Sequence, residues 1–120
     1  MPPVDAEDED TTDSWILSDD EAAAYAASRL ATEDLAASFV YFGESDVQAH
    51  RFGVGPGYTA CIERCDARLG LLLEAIDRRP LRAQEDWTVI VVTDHGYLDE
   101  GGHGGDSDEE RTAWMLASGA

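Results

Sequence analysis

Two segments of this chain concentrate the residue types that bind metal ions. Each segment follows an apolar run, and together they hold all three histidines of the sequence. Carboxylate and imidazole groups suit Zn²⁺ or Mn²⁺, and the absence of cysteine from both segments argues against a structural zinc site. The candidate metal ligands are Asp46, His50, Asp94, His95 and His103.

The spacing of these residues indicates how they could meet. Asp46 and His50 are four residues apart, which places them on one face of a helical turn. Asp94 and His95 directly follow an apolar run, and ligand sites of α/β sheets gather at the carboxyl ends of strands. A single Asp–His pair is more often a surface pair than a metal site, so the prediction depends on the recurrence of the pattern. For His103, which lies between two glycine pairs, three roles remain open: a metal ligand, a contact to phosphate or a surface residue.

The elements that must position these residues alternate between strands and helices. The run at residues 87–92 is apolar throughout, which is typical of a strand covered on both faces. The order strand, helix, strand predicts an α/β fold with a mostly parallel sheet and flanking helices. We predict helices from near Ser18 and over residues 58–77, a glycine-rich loop after Gly43, and strands over residues 37–42, 87–92 and 112–117.

The charge balance restricts the partners. The 120 residues suffice for one small domain, and they include 26 acidic and 8 basic residues, for a formal net charge of -18. Such a field repels nucleic acids and anionic membrane surfaces, so we expect neither as a partner. Because the acids extend from residue 5 to residue 110, adaptation to high salt is favoured over an ordinary domain with an acidic tail.

Composition also suggests a domain boundary and a location. Residues 1–17 form an acidic leader that we predict to be disordered, and residues 18–120 form the domain. No membrane-spanning run or signal peptide is recognisable, so we expect a cytoplasmic location. Cys61 and Cys65, on one face of the second helix, are predicted to be small buried hydrophobic residues and not ligands.

Three motifs carry a family resemblance. Residues 39–53 resemble the pattern of an apolar strand, Asp, three residues, His and then Gly, and residues 89–96 resemble an apolar strand followed by Thr/Ser-Asp-His-Gly. Gly102-His103-Gly104 resembles the second part of the DHG…HG motif of phosphoethanolamine transferases. Over residues 19–119 the chain resembles the metal-binding C-terminal half of alkaline phosphatase superfamily enzymes, close to the type I phosphodiesterase/nucleotide pyrophosphatase branch.

The resemblance implies a fold and a metal site. The fold would be a partial alkaline-phosphatase-like sandwich. Two divalent ions, zinc or else manganese, would bind there, one to Asp46, His50 and His103 and the other to Asp94 and His95. The substrate would be a small-molecule phosphomonoester or phosphodiester.

The resemblance also indicates what is missing. The family's Thr or Ser nucleophile lies well before the Asp46 motif, whereas Thr11, Thr12 and Ser14 follow no apolar strand. We therefore expect no catalytic residue in this chain, which would be a truncated phosphoester hydrolase completed by a complementary N-terminal chain. The alternative is a non-catalytic acidic fragment that binds metal or a partner chain.

Overall fold

Helices dominate the part of the chain that the structure describes. The computed structural model describes residues 9–119, with side chains from Asp13 onward. None of the helices in this range is long and apolar enough to cross a membrane. In chain order the elements are α1 (Glu9–Thr32), α2 (Glu44–Phe52), α3 (Pro56–Asp77), a 3-10 turn (Arg82–Gln84), β1 (Thr88–Val92), α4 (Asp108–Arg111) and β2 (Met115–Gly119).

The hydrophobic core lies between α1 and α3. Ala26 and Leu30 of α1 meet Leu72 and Ile76 of α3, and all four side chains are buried. The four-residue spacing within each pair puts both members on the same helix face. Full burial of a Leu or Ile side chain stabilises the fold by about 1.5–3 kcal/mol. The helix predicted over residues 58–77 is confirmed as α3.

The first helix starts earlier than predicted. It includes residues 9–17, which precede the expected start near Ser18. Leu30 is buried as expected, whereas Tyr25, expected on the same buried face, is 64% exposed. Residues 1–8 of the predicted leader lie outside the described residues, and the domain boundary at residue 18 stays a prediction.

The sheet of the described residues is antiparallel, so the prediction of a mostly parallel sheet is wrong for this part of the chain. Thr88 lies opposite Gly119, and Val92 lies opposite Met115. A parallel pair needs a crossover over the face of the sheet, usually a helix. Here the connection contains only the four-residue α4, and the chain returns beside β1 in the opposite direction.

Two apolar runs differ from their predictions. Residues 37–42 form no strand and make no backbone hydrogen bond to a described residue. Their side chains still alternate, because Val40 packs against the core while Phe39 is 87% exposed. In β1, Val89 likewise faces the core, but Ile90 is 57% exposed. The expectation of a strand covered on both faces is therefore wrong within the described structure.

Arg79 joins the end of α1 to the start of the sheet. Its guanidinium donates hydrogen bonds to the carbonyl oxygens of Leu30 and Glu33, the latter at 2.9 Å. It also binds both carboxylate oxygens of Glu85 at 2.7 and 2.9 Å, and it lies 5.2 Å from the ring centre of Trp87. The last carbonyl groups of a helix lack intrahelical partners, so Arg79 supplies donors that α1 needs.

Candidate metal centre

Helix α2 presents Asp46 and His50 on one face. The segment, predicted as the start of a glycine-rich loop, is helical from Glu44 to Phe52. The four-residue spacing therefore brings the two side chains together, and Nε2 of His50 lies 3.7 Å from Oδ1 of Asp46. The side chain of His50 is 47% exposed and that of Asp46 is 36% exposed, so both are open to a ligand from solution.

A buried aspartate of α1 fixes the start of this helix. Gly43 at the N-terminus of α2 has no side chain to cap the helix. Oδ1 of Asp19 accepts a hydrogen bond from the backbone N–H of Gly43 at 3.1 Å, and Oδ2 accepts one from that of Glu44 at 2.9 Å. Asp19 is only 2% exposed. A negative charge at a helix N-terminus also interacts favourably with the helix dipole.

A buried ion network holds the same end of α2 against α3. Glu44 is fully buried, and its carboxylate accepts hydrogen bonds from Arg64 at 2.7 Å and from Arg68 at 2.8 Å. Arg68, 3% exposed, also donates to Asp20 at 2.8 Å. Burial acts to raise the pKa of Glu44, but the hydrogen bonds from the two arginines prevail and lower it. Glu44 is therefore a paired carboxylate, two residues before Asp46.

The loop after β1 docks on the other end of α2. The N–H of Val54 donates to the carbonyl oxygen of Asp99 at 2.9 Å. Gly101 has a φ of +95°, and a Cβ there would lie 2.4 Å from the carbonyl oxygen of Ala49. Only glycine permits both this backbone conformation and this close approach. The loop that carries His95 and His103 is thus held against the helix that carries Asp46.

The two segments meet at one oxygen atom. Oδ1 of Asp46 lies 3.6 Å from Nε2 of His95 and 3.5 Å from Nε2 of His103, in addition to its contact with His50. The Nε2 atoms of His50 and His103 are 3.0 Å apart. Asp46, His50 and His103 form a group whose ligand atoms all lie within 4.8 Å of one another and could hold a metal ion.

The spacing of these donor atoms fits a small tetrahedral ion. Zinc binds imidazole nitrogen and carboxylate oxygen at about 2.0–2.2 Å, which corresponds to about 3.3–3.6 Å between two ligand atoms of a tetrahedron. The separations among Asp46, His50 and His103 run from 3.0 to 3.7 Å. The residues present therefore suit such an ion both in chemistry and in size.

Asp94 lies at the rim of the cluster that Asp46, His50, His95 and His103 form. Its carboxylate is 82% exposed, and Oδ1 lies 3.6 Å from Nε2 of His95. The imidazole of His95 stacks on that of His103, with ring centres 3.7 Å apart and an angle of 15° between the planes. Its Nδ1 lies 2.8 Å from the carbonyl oxygen of Gly96, which leaves Nε2 facing the cluster. The structure thus brings four of the five predicted ligands together, with Asp94 adjacent to one of them.

Tyr97 is a member of the cluster that the sequence analysis missed. Its hydroxyl donates to Oδ1 of Asp46 at 2.5 Å, and it also lies 3.0 Å from the backbone oxygen of the same residue. Burial, followed by the hydrogen bond and the negative charge of Asp46, raises the pKa of Tyr97, so its hydroxyl stays protonated at neutral pH. Its position two residues after His95 is a weak signal, because the loop has no period from which to infer a direction.

Arg68 was also missed, although the sequence holds a signal for it. Cys61, Leu72 and Ile76 mark the buried face of α3 at helical spacing, and Arg68 falls on that face. A charged residue in an apolar helical register predicts a buried ion pair. Cys61 is buried as expected, and burial, followed by Glu44, raises the pKa of its thiol to about 11.

The comparisons with known proteins identify the family. The model of the type I phosphodiesterase / nucleotide pyrophosphatase family matches residues 3–107, which is most of the chain and includes every residue of the cluster. No curated protein and no solved structure matches the chain. The resemblance drawn from the three motifs is therefore confirmed, and the chain belongs to the type I phosphodiesterase/nucleotide pyrophosphatase family.

Proposed function

We propose that this chain supplies the metal-binding part of a divalent-metal-dependent phosphoester hydrolase. One observation carries the proposal: in a chain of this family, the Nε2 atoms of His50, His95 and His103 all lie within 3.7 Å of one oxygen of Asp46. The substrate is a phosphomonoester or phosphodiester of a small molecule. The half-exposed face of the cluster leaves room for such a ligand.

The stacked imidazoles support two ions instead of one. The imidazoles of His95 and His103 are nearly parallel, with ring centres 3.7 Å apart, so they would serve as ligands of separate ions. Pairs of divalent ions are common in phosphatases and nucleases. We assign Asp46, His50 and His103 to one ion, and His95 with the exposed Asp94 to the other.

Charge favours phosphate at this site despite the acidity of the chain. Asp46 and Asp94 contribute two negative charges and neutral imidazoles contribute none, so two divalent ions leave the site locally positive. When bound, the ions polarise the phosphoryl group and stabilise the attacking and leaving oxygens. Zinc fits the donor set, and manganese is the second choice. The role of the chain is to hold the ions and to orient the phosphoester between them.

The nucleophile, in this proposal, comes from another segment. Among the described residues, the hydrogen-bond partners of the cluster are Tyr97 and the backbone, and none is a Ser or Thr hydroxyl. Exposed apolar residues such as Phe39 and Leu116, 87% and 63% exposed, support a complementary chain that would cover them. We therefore expect a complementary N-terminal chain to complete the enzyme.

The lack of a Ser or Thr hydroxyl among the described partners of the cluster favours a second candidate function. Without a hydroxyl at the cluster, the chain could bind metal or a partner without catalysing any reaction. The two candidates differ in what the loaded site does with phosphate. A phosphoester-handling site binds inorganic phosphate only when metal is present, whereas a site that only stores metal has no such affinity.

The test measures metal binding first and phosphate binding second. Titration calorimetry with Zn²⁺ should show saturable binding to the parent chain and binding at least about 100-fold weaker for Asp46→Asn. Removal of a residue that only hydrogen-bonds to a metal ligand typically lowers metal affinity by about 10–100-fold, and removal of a ligand itself should lower it more. Asp66 is an exposed acidic residue of α3, so Asp66→Asn is the matched control and should bind Zn²⁺ like the parent. Equal affinity of the Asp46 and Asp66 variants would contradict the metal site.

Phosphate binding then separates the two functions. The zinc-loaded parent should bind inorganic phosphate, and the metal-free chain should not. We also expect the isolated chain to hydrolyse bis-p-nitrophenyl phosphate no faster than a zinc-matched blank. Zinc binding without any phosphate affinity would favour the non-catalytic function, and turnover abolished by Asp94→Ala would show that the nucleophile lies in this chain.

A further inference from the structure

We propose that Tyr97 is a positioning residue that orients the Asp46 carboxylate and aligns the two segments of the metal site. The inference rests on the proposed function, in that it takes Asp46 to be a metal ligand. It goes beyond that function by giving a role to a side chain that neither the motifs nor the family match assigns. Tyr97 acts through Asp46 and is not itself a ligand.

The hydroxyl of Tyr97 lies close to both the side chain and the backbone of Asp46. It donates its one proton to Oδ1 at 2.5 Å, and it lies 3.0 Å from the backbone oxygen of the same residue. The hydrogen bond to Oδ1 restricts rotation of the carboxylate about its side-chain bonds. One lone pair of Oδ1 is used in this contact, and the other lone pair and Oδ2 remain free to bind a metal ion. The hydrogen bond therefore orients the ligand without consuming it.

The ring of Tyr97 touches every imidazole of the cluster. Its centre lies 5.3 Å from that of His50, 5.4 Å from that of His95 and 5.1 Å from that of His103. The contacts with His50 and His103 are edge-to-face, at angles of 77° and 65°. Edge-to-face pairs are a favoured geometry of aromatic rings, so these contacts hold the imidazoles in place.

These contacts join the two segments that supply the ligands. His50 lies on α2, whereas His95 and His103 lie on the loop after β1. The backbone contacts between the two segments are at Val54 and Gly101, and the side chain of Tyr97 adds a hydrogen bond between them beside the predicted ligands. Groups behind the metal ligands commonly alter metal affinity by about 10–100-fold when they are removed. We expect an effect of that size.

Tyr97→Phe isolates the hydrogen bond, because it keeps the ring and removes only the hydroxyl. Tyr25→Phe is the matched control, since the Tyr25 hydroxyl accepts a hydrogen bond from Arg29 on the exposed face of α1. Zn²⁺ affinity of Tyr97→Phe should be about 10–100-fold weaker than that of the parent, with the control unchanged. The visible absorption spectrum of bound Co²⁺ should change in Tyr97→Phe alone, while the metal-free chains melt at the same temperature.

The possible outcomes are separable. Parent-like zinc affinity and an unchanged Co²⁺ spectrum in Tyr97→Phe would overturn the positioning role and leave the metal site intact. A loss as large as that of Asp46→Asn would also overturn it, because Tyr97 would then be a ligand. A lower melting temperature of Tyr97→Phe with an unchanged Co²⁺ spectrum would also overturn the positioning role, because Tyr97 would then stabilise the fold without orienting Asp46. If the parent binds no metal, the proposed function fails together with this inference.

Discussion

Replacement of Arg68 by Met should destabilise the chain by about 3 kcal/mol. Arg68 is 3% exposed and contacts three carboxylates, those of Asp19, Asp20 and Glu44, at 3.6, 2.8 and 2.8 Å. Removal of one partner from a buried ion pair typically costs about 3–5 kcal/mol, because the other charge stays buried. Arg64 still pairs with Glu44 in the variant, which favours the lower end of that range.

Urea unfolding at neutral pH, followed by circular dichroism, measures this loss. Arg78→Met, directly after the last residue of α3, is the matched control, since Arg78 is 75% exposed and forms its ion pair with Glu74, four residues earlier. An exposed pair of this kind contributes about 0.3–0.5 kcal/mol, so the two substitutions should differ by more than 2 kcal/mol. A difference below about 1 kcal/mol would refute the view that the buried network holds α2 in place.

A double variant separates the buried charge from the lost contacts. If the cost of Arg68→Met comes from the uncompensated Glu44, then Glu44→Leu in the same chain should recover part of it. Replacement of a buried ion pair by apolar residues of similar volume is often neutral. No recovery in the double variant would assign the loss to packing and to the other partners of Arg68, which are Asp19, Asp20 and the carbonyl oxygen of Ile16 at 3.2 Å.

Two further predictions concern pH and salt. Because the folded-state pKa of Glu44 lies below its ordinary value of 4.5, its stabilisation is complete above that value and is lost as pH falls through the folded pKa. The stability difference between parent and Glu44→Gln in urea melts should therefore narrow below about pH 4.5, and a constant difference down to about pH 3 would contradict this. With a net charge of -18, the melting temperature should rise when salt shortens the Debye length from about 10 Å at 0.1 M to about 3 Å at 1 M. An unchanged melting temperature between about 0.05 and 2 M KCl would refute salt adaptation and favour an ordinary domain with an acidic tail.

Local periodicity predicted the helix over residues 58–77 and the proximity of Asp46 to His50. The spacing of Leu72 and Ile76 repeats once per helical turn, so the helix over residues 58–77 could be read from the sequence. The same argument placed Asp46 and His50 together, although the segment that holds them was expected to be a loop. Both depend only on residues a few positions apart, and such patterns are a direct property of the sequence.

Contacts between distant segments were not predictable in the same way. An apolar run such as residues 37–42 indicates burial, but it does not specify a pairing partner or a strand direction, so the sheet was predicted incorrectly. Tyr97 and Asp46 are 51 residues apart, and their hydrogen bond depends on how the loop docks on α2. A pattern within one element cannot encode a contact that two elements create.

The position of the cluster depends mainly on contacts with α2, so the error in the predicted sheet did not affect it. These contacts are the Asp19 cap at one end and the Gly101 approach at the other. The residues of β2 enter neither of these contacts. The start of the loop with His95 is held by the residues just before β2, where the N–H of Thr93 donates to the carbonyl oxygen of Trp114 at 3.1 Å and that of Gly96 to the carbonyl oxygen of Glu110 at 2.9 Å. The motif order could therefore predict a group of neighbouring side chains although the sheet was assigned wrongly. If so, substitutions in β2 should leave zinc affinity nearly unchanged, whereas those at Asp19 should weaken it through the displacement of α2.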